Sequence, residues 1–294
     1  MTLFLTLAIN GALQGLLYAI VAIGFSVIYR ASKVFNIAQG ELVVLGGFLV
    51  WVTVTDWALP LYLALPLALV LAVAGGWLIE RIFFKRLVGE QVFSMVMMSI
   101  ALLIFVRGFM LVVFGPHVRS FPAIFPPKPI IFQGVLIMRP LLYGGILTVL
   151  IAFGLSYFFN RTRTGLSLTA VAENHRTAMD LGISVRRASQ IAWILGMVLA
   201  TVGAVVAMNG NSINFLASGI GFIAIPVALL AGLEAITGML LAGVLIGVTE
   251  RLTAAYLDPL IGANFASVLP YLLMLLILTF LPSGFFGWKT IERI

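Results

Sequence analysis

Nine times along this chain, an apolar run of roughly membrane-spanning length is closed by a cluster of charge, Pro or Gly. The runs lie at about residues 4–29, 40–58, 61–83, 91–114, 140–160, 188–209, 219–233, 235–256 and 264–281. A helix that crosses hydrocarbon satisfies its own backbone and needs about 20 mostly apolar residues. Of the 294 residues 62% are hydrophobic and only 9% charged, with a mean hydropathy of +1.18, and no water-soluble core uses that much apolar surface. The expected fold is all-α: a polytopic transmembrane helix bundle of about nine spans, roughly eight to ten. It forms a single domain over residues 1–294, with no appended soluble domain. The run 219–233 is the weakest, because it is short and carries Pro226 in its middle; it is a candidate for a broken or re-entrant segment.

The charges imply an orientation. With the N-terminus outside, the cytoplasmic connections hold Arg30, Lys33, Arg81, Lys85, Arg86, Arg161, Arg163, Arg176, Arg186, Arg187, Lys289 and Arg293. The opposite loops hold Arg119, Lys128 and Arg139, a bias of 12 to 3 that satisfies the positive-inside rule. The C-terminus is then inside. The net charge of +7 therefore reads as topology and not as a nucleic-acid surface, since the basic residues are scattered between spans. Met1-Thr2-Leu3-Phe4 lacks the basic start of a cleavable signal, so the first helix is expected to stay in the mature protein.

Two connections are longer than linking requires. Residues 115–139 place apolar runs on either side of the Pro-rich turn Pro126-Pro127-Lys128-Pro129, which suggests a small external hairpin. Residues 161–187 form a cytoplasmic loop in which Leu168, Val171, Ala172, His175, Ala178 and Met179 recur at helical spacing. Glu173, Arg176 and Asp180 face elsewhere, Gly182 is placed as a C-terminal stop and Ser184 as the cap of the next helix. The expectation is one short amphipathic helix at about 167–182. It is too short to be stable alone, so it packs on the membrane, on its own bundle or in a partner's groove.

Polar residues inside spans mark candidate pathways or interhelical glue. Asn10, Gln14 and Tyr18 form a stripe on the first span beside Gly11 and Gly15; Asn36, Gln39 and Glu41 make a polar hinge where the second span begins. The fourth span carries Ser94, Ser99 and Arg107, the last expected to snorkel toward the external surface. Gly238, Gly243 and Gly247 give the eighth span a close-packing face, and Glu234 reads as a wet loop residue at the cytoplasmic edge. Glu80-Arg81 and Glu250-Arg251 close the third and eighth spans on opposite sides, as an inverted repeat places them.

Much chemistry is absent from the sequence. There is no cysteine, and the two histidines, His117 and His175, fall in loops on opposite faces. No catalytic constellation, metal site or ion-coupling carboxylate sits at mid-span, and the chain has no Gly-Lys with which to build a phosphate-binding loop. The chain reads as a transporter component and not an enzyme. It holds no cofactor of its own, so if ATP drives it, another chain binds the nucleotide.

Four strings add a resemblance. Gly24-Phe25-Ser26-Val27-Ile28-Tyr29 through Asn36-Ile37-Ala38-Gln39-Gly40-Glu41 is similar to the first signature of the branched-chain amino-acid ABC transporter permeases. Arg163-Thr164-Gly165 with Ala170-Val171-Ala172-Glu173-Asn174 and Ala178-Met179-Asp180-Leu181-Gly182-Ile183 resembles their coupling loop. Ala228-Leu229-Leu230-Ala231-Gly232-Leu233-Glu234 onward to Gly247 resembles their late Gly-rich segment, and Pro282-Ser283-Gly284-Phe285-Phe286-Gly287 their ending. The resemblance implies an inner-membrane importer of two permease subunits, either a homodimer or a heterodimer. Two cytoplasmic ATPases would carry ATP and Mg, an extracytoplasmic binding protein would deliver substrate, and residues 167–182 would couple the chain to the ATPase. Glu234 stands where the family often has a small residue and Leu281 where an Arg is frequent, which leaves urea, amides or aromatic acids as alternative cargo. Lone facilitation is the rival mechanism.

Overall fold

The computed structural model describes residues 2–33, 35–87, 90–262 and 264–287, with only the backbone of His175 and Arg176. Val34, Lys289 and Arg293 therefore lie outside the described residues, as do the side chains of His175 and Arg176. The described chain is a helical bundle. Six helices are long and apolar enough to cross a membrane: α1 (Thr2–Ser32), α3 (Leu61–Ile79, continued by a π-turn to Phe84), α4 (Val92–Phe114), α5 (Arg139–Arg161), α8 (Val185–Ala207) and α10 (Gly238–Tyr256). Three of the nine apolar runs form shorter helices: α2 (Gln39–Trp51, with a π-turn Val52–Asp56), α9 (Gly219–Ala231) and α12 (Leu269–Phe280). Between them lie the small helices α6 (Arg163–Glu173), α7 (His175–Asp180) and α11 (Asp258–Ile261), and four short strands, β1 (Arg119–Ser120), β2 (Ile130–Phe132), β3 (Val135–Ile137) and β4 (Ser212–Ile213).

Helix α1 is the axis of the bundle, buried along most of its length by α5, α8, α9 and α10. It runs antiparallel to α10, with Gly11 facing Gly247 and Gly15 facing Gly243. A Cβ on Gly11 would lie 2.7 Å from the Gly247 carbonyl oxygen, so the two backbones touch with nothing between them. Four of the five glycines singled out from sequence lie at this backbone contact. Gly238 differs: its neighbour is the Phe286 ring, not a facing helix. A mirrored contact joins α3 to α8, where a Cβ on Gly76 would meet the Trp193 carbonyl oxygen at 2.6 Å. Thus α1 and α10 pack as α8 and α3 do, and α2 packs on α8 as α9 packs on α1.

The two ends of the bundle are distinct. At one, β2 and β3 form the hairpin expected in 115–139, but it turns at Gln133-Gly134 and not at the prolines. Both turn residues have positive φ (49° and 80°), the geometry a tight hairpin needs and the Pro-rich run cannot adopt. The strand before the prolines pairs elsewhere, β1 with β4. Asn10 fastens this end: its Nδ2 donates to the Leu136 carbonyl at 2.7 Å, and its Oδ1 accepts from the Met138 N–H at 3.0 Å.

At the opposite end the expected helix over 167–182 is two helices, α6 and α7. Thr162 starts α6 early, its hydroxyl accepting from Gly165 N–H at 3.0 Å, and Asn174 leaves helical geometry and caps α7 through Thr177 N–H at 3.1 Å. Gly182 takes φ +77° as the stop, and Ser184 caps α8, its hydroxyl accepting from Arg187 N–H at 3.4 Å. The close α1–α10 approach gives a prediction. Gly243→Leu should destabilise the protein by about 1–3 kcal/mol or more, seen as a lowered melting temperature in detergent, while Gly154→Leu, where an added Cβ meets nothing within 4 Å, should change it little.

Candidate functional site

Three of the sequence-selected polar residues meet deep in the bundle. Beyond the end of α1, Gln39 at the start of α2 lies over Gly24, whose missing Cβ makes the room. Gly24 is about 12 Å of helix from Ser32, so the N-terminus of α2 sits well inside. Asn36 organises the 36–38 turn: its Oδ1 accepts from Ala38 N–H at 3.1 Å and its Nδ2 donates to Gln39 Oε1 at 3.2 Å. Ser99 of α4 closes it from the other side, accepting from Ile37 N–H at 3.4 Å. Ser94, one helical turn and more away, sits half-buried near the start of α4 and does not join this group.

The N-terminus of α9 arrives at the same depth. Gly40 of α2 and Gly221 of α9 pack backbone to backbone, and the Ser218 carbonyl lies against Gly40. The short run 219–233 is therefore a half-length helix that begins inside the bundle, beside the equally short α2. Such paired discontinuous helices bring two positive helix ends together within the fold.

At this junction Glu41 is buried, 2% exposed, and pairs with Arg107 of α4. The Arg107 Nε donates to Glu41 Oε1 at 2.9 Å, Nη2 donates to the same oxygen, and Nη2 also donates to the Ser218 hydroxyl at 3.0 Å. The expectation that Arg107 snorkels outward is corrected: a buried carboxylate and the Ser218 hydroxyl hold it inward. Glu41 Oε2 is buried without a hydrogen-bond partner.

A second polar group lies nearer the hairpin end. Arg251 Nε donates to Gln14 Oε1 at 2.6 Å, the Gln14 amide donates to the Tyr18 hydroxyl, and that hydroxyl donates to Glu250 Oε1 at 3.3 Å. Gln14, Tyr18 and Arg251 line a cavity of about 530 Å³ whose remaining wall is largely apolar, from Leu17, Met138, Leu141 and Met208 to Ile220 and Ile223. Gln14 and Tyr18 thus face a cavity, whereas Asn10 on the same stripe is fastened to the hairpin backbone.

At the α6 end, Leu168, Val171, Ala172 and Ala178 are buried against the bundle, while Glu173, Met179 and Asp180 are exposed. Met179 was expected on the apolar inner face; the break at Asn174 turns it outward, and Leu166 and Leu181 are exposed as well. Glu234 is not a lone wet carboxylate, because it forms an ion pair with Lys33 at the turn that leaves α1. Close by, Phe285 and Phe286 N–H groups donate to the Leu230 and Ala231 carbonyls at 2.7 and 3.1 Å, which ties the C-terminal run to the end of α9.

The family described as "Branched-chain amino acid transport system / permease component" matches residues 7–278. The chain belongs to that family. This permease is 27% identical to BraD, a high-affinity branched-chain amino acid transport system permease protein of Pseudomonas aeruginosa, over 99% of this chain and 98% of that one. It is 26% identical to LivH, the permease protein so described in Escherichia coli, over 99% and 98%. It is also 31% identical to NupP, the guanosine ABC transporter permease protein of Bacillus subtilis, over 74% and 65%. No solved structure matches it. It is a multi-pass membrane protein and a transporter component.

The permease fold shows why its motifs stand where they do. The 36–41 run builds the α2 junction, and the late Gly-rich run and the Pro282–Gly287 ending form one clasp at the α6 end. Sequence reading did not assign Ser218 or Arg251 to any site. Ser218 carries no local signal beyond preceding a half-length apolar run with two early glycines. Arg251 was read only as one half of a repeat mark. The junction yields a second prediction. Arg107→Leu should cost up to about 3 kcal/mol, the lower end of the range for a buried pair because Arg107 is half-exposed, by stranding the Glu41 carboxylate. The double variant Arg107→Leu, Glu41→Leu should recover most of it, read from melting temperatures of the purified permease.

Proposed function

We propose that this permease is the transmembrane subunit of an ATP-driven importer for amino acids of the branched-chain type, in the inner membrane of a bacterium. The chain crosses about nine times, six times by the long helices and three times by segments containing the shorter α2, α9 and α12, with the hairpin end outside and the α6 end in the cytoplasm. The bias of basic residues toward the α6 end supports that orientation. A second permease chain completes the pathway, two cytoplasmic ATPases carry ATP and Mg, and an extracytoplasmic binding protein delivers substrate to the hairpin end.

The observation that carries this reading is the two-faced α6–α7 unit. Its inner face, Leu168, Val171, Ala172 and Ala178, is locked into the bundle, so a push on it reaches α5 and α8 without slack. Its outer face offers Leu166, Met179 and Leu181, apolar residues exposed among the described residues, and a groove of about 380 Å³ lies beside it between α6 and α8. Exposed large apolar groups are what a partner's groove takes up. Guanosine is the second reading for cargo, favoured by the identity to NupP.

Met179→Glu with Leu181→Glu should leave insertion and melting temperature unchanged, because both side chains face outward. It should lower leucine uptake by the assembled importer at least tenfold and abolish co-purification of the ATPase. Unchanged uptake would remove the coupling role from this surface. Uptake of guanosine but not leucine by the wild-type importer would move the cargo to the second reading.

A further inference from the structure

Arg107 is in the wrong place for a residue that faces lipid. It lies within α4 among Ile104, Phe105, Phe109 and Val112, all apolar and exposed, yet its own side chain is 44% exposed. A guanidinium half-open to hydrocarbon is strongly disfavoured unless it reaches the interface. Arg107 is about 10 Å of helix from the end of α4, and its guanidinium turns instead to Glu41 and Ser218. This face of α4 therefore meets water or protein.

What the cluster leaves unused is complementary in charge. Among the described residues Arg107 Nη1 has no hydrogen-bond partner, and Glu41 Oε2 is buried without one. Among the described residues Glu41 is the one ionisable group lining the crevice itself, Arg107 reaches it through Glu41 and Ser218, and the first turns of α2 and α9 add two positive helix ends. The walls around it are aliphatic and aromatic: Ile37, Leu103, Phe222 and Ile225.

We propose that the crevice between α4 and α9 is a subsite for the zwitterionic backbone of an amino acid. Its carboxylate binds Arg107 and the first turn of α9, its ammonium binds Glu41, and its aliphatic side chain rests on Leu103 and Phe222. The proposal rests on the amino-acid cargo proposed above. In the present conformation the crevice holds only about 10 Å³, so α4 must move away from α9 to admit a ligand. Helix α4 is suited to this, since it packs mainly on α2 and on the Glu80–Phe84 turn. Until then Glu41 occupies the cation that the substrate carboxylate will take.

The chain has no cysteine, and an added Cβ at Gly108 of α4 or Gly219 of α9 meets nothing within 4 Å. Gly108→Cys, next to Arg107 in α4, and Gly219→Cys, next to Ser218 at the start of α9, therefore place thiols beside the residues of the cluster without strain. The permease–ATPase complex in proteoliposomes is treated with a cationic, membrane-impermeant methanethiosulfonate without ATP or binding protein, so that neither turnover nor delivery enters. Leucine uptake by the complete wild-type importer is measured alongside.

Both cysteines should react, and millimolar leucine should slow the reaction at least fivefold. Leucinamide, which lacks the carboxylate, should need at least tenfold higher concentration for the same protection, and Arg107→Gln should erase that difference. Glu41→Gln should raise the protecting concentration of leucine but not that of 4-methylpentanoate, which lacks the ammonium. If Arg107→Gln does not assemble, Arg107→Gln with Glu41→Gln, which strands neither charge, should also protect equally with leucine and leucinamide. Unreactive cysteines, or equal protection by leucine and leucinamide in the wild-type background, would overturn the subsite while leaving the importer reading intact. Absence of leucine uptake by the wild-type importer would overturn both.

Discussion

The contact of α1 with α10 is made by backbone alone, and the rest of the bundle depends on it. In lipid there is no hydrophobic force to press one apolar helix on another, so close association relies on residues small enough to let helices touch. Gly11 and Gly15 against Gly243 and Gly247 supply that surface on one side of the bundle, and Gly76 against Trp193 and Ile194 supplies its counterpart. With α1 seized in this way, its remaining faces are covered by α5, α8 and α9, and it becomes the most deeply buried of the six long helices. A helix so enclosed can hold polar residues such as Gln14 and Tyr18 without presenting them to hydrocarbon.

The half-length helices follow from the same economy of space. α2 and α9 both start inside the bundle, and they fit because Gly40 meets Gly221 and Gly24 leaves room for Gln39. Non-helical backbone is tolerated at that depth because protein surrounds it: Asn36 and Ser99 satisfy the 36–38 turn, as no lipid could. The junction therefore concentrates helix ends, a buried carboxylate and a half-open guanidinium in one place, while the long helices around it are apolar. The clasp between the Leu230–Ala231 carbonyls and Phe285–Phe286, together with the Lys33–Glu234 ion pair, joins the lower ends of α1, α9 and the C-terminal run into a unit on the side where α6 is docked.

Much of this was written in the sequence by simple periodicities. Apolar runs located the helices, small-residue spacing marked a close-packing face on α1 and another on α10 without pairing them, and the Ser184 cap and Gly182 stop were readable because each acts within a few residues. The errors fell where the deciding interaction was distant. Arg107 looks like an outward anchor until Glu41, 66 residues earlier, is beside it, and Glu234 looks like a solvated carboxylate until Lys33, 201 residues earlier, pairs with it. Met179 changed face because one residue, Asn174, left helical geometry, and a period of 3.6 does not survive a break. The hairpin turned at Gln133-Gly134 because positive φ, not proline, makes a tight two-residue turn.

By itself, then, the sequence determined what this protein is immersed in, which segments are helical and, through strings spread over its whole length, the transport family to which it belongs. These are consequences of composition and local spacing, which act before any tertiary contact forms. Only the tertiary structure decided that two of the helices start inside the bundle with their N-termini together, that a carboxylate and a guanidinium meet where they start, and that the α6–α7 unit has an outward apolar face. Each of those requires groups from separate helices to be brought together. No local pattern encodes which groups those are, because the pairing energy belongs to the contact and not to either residue.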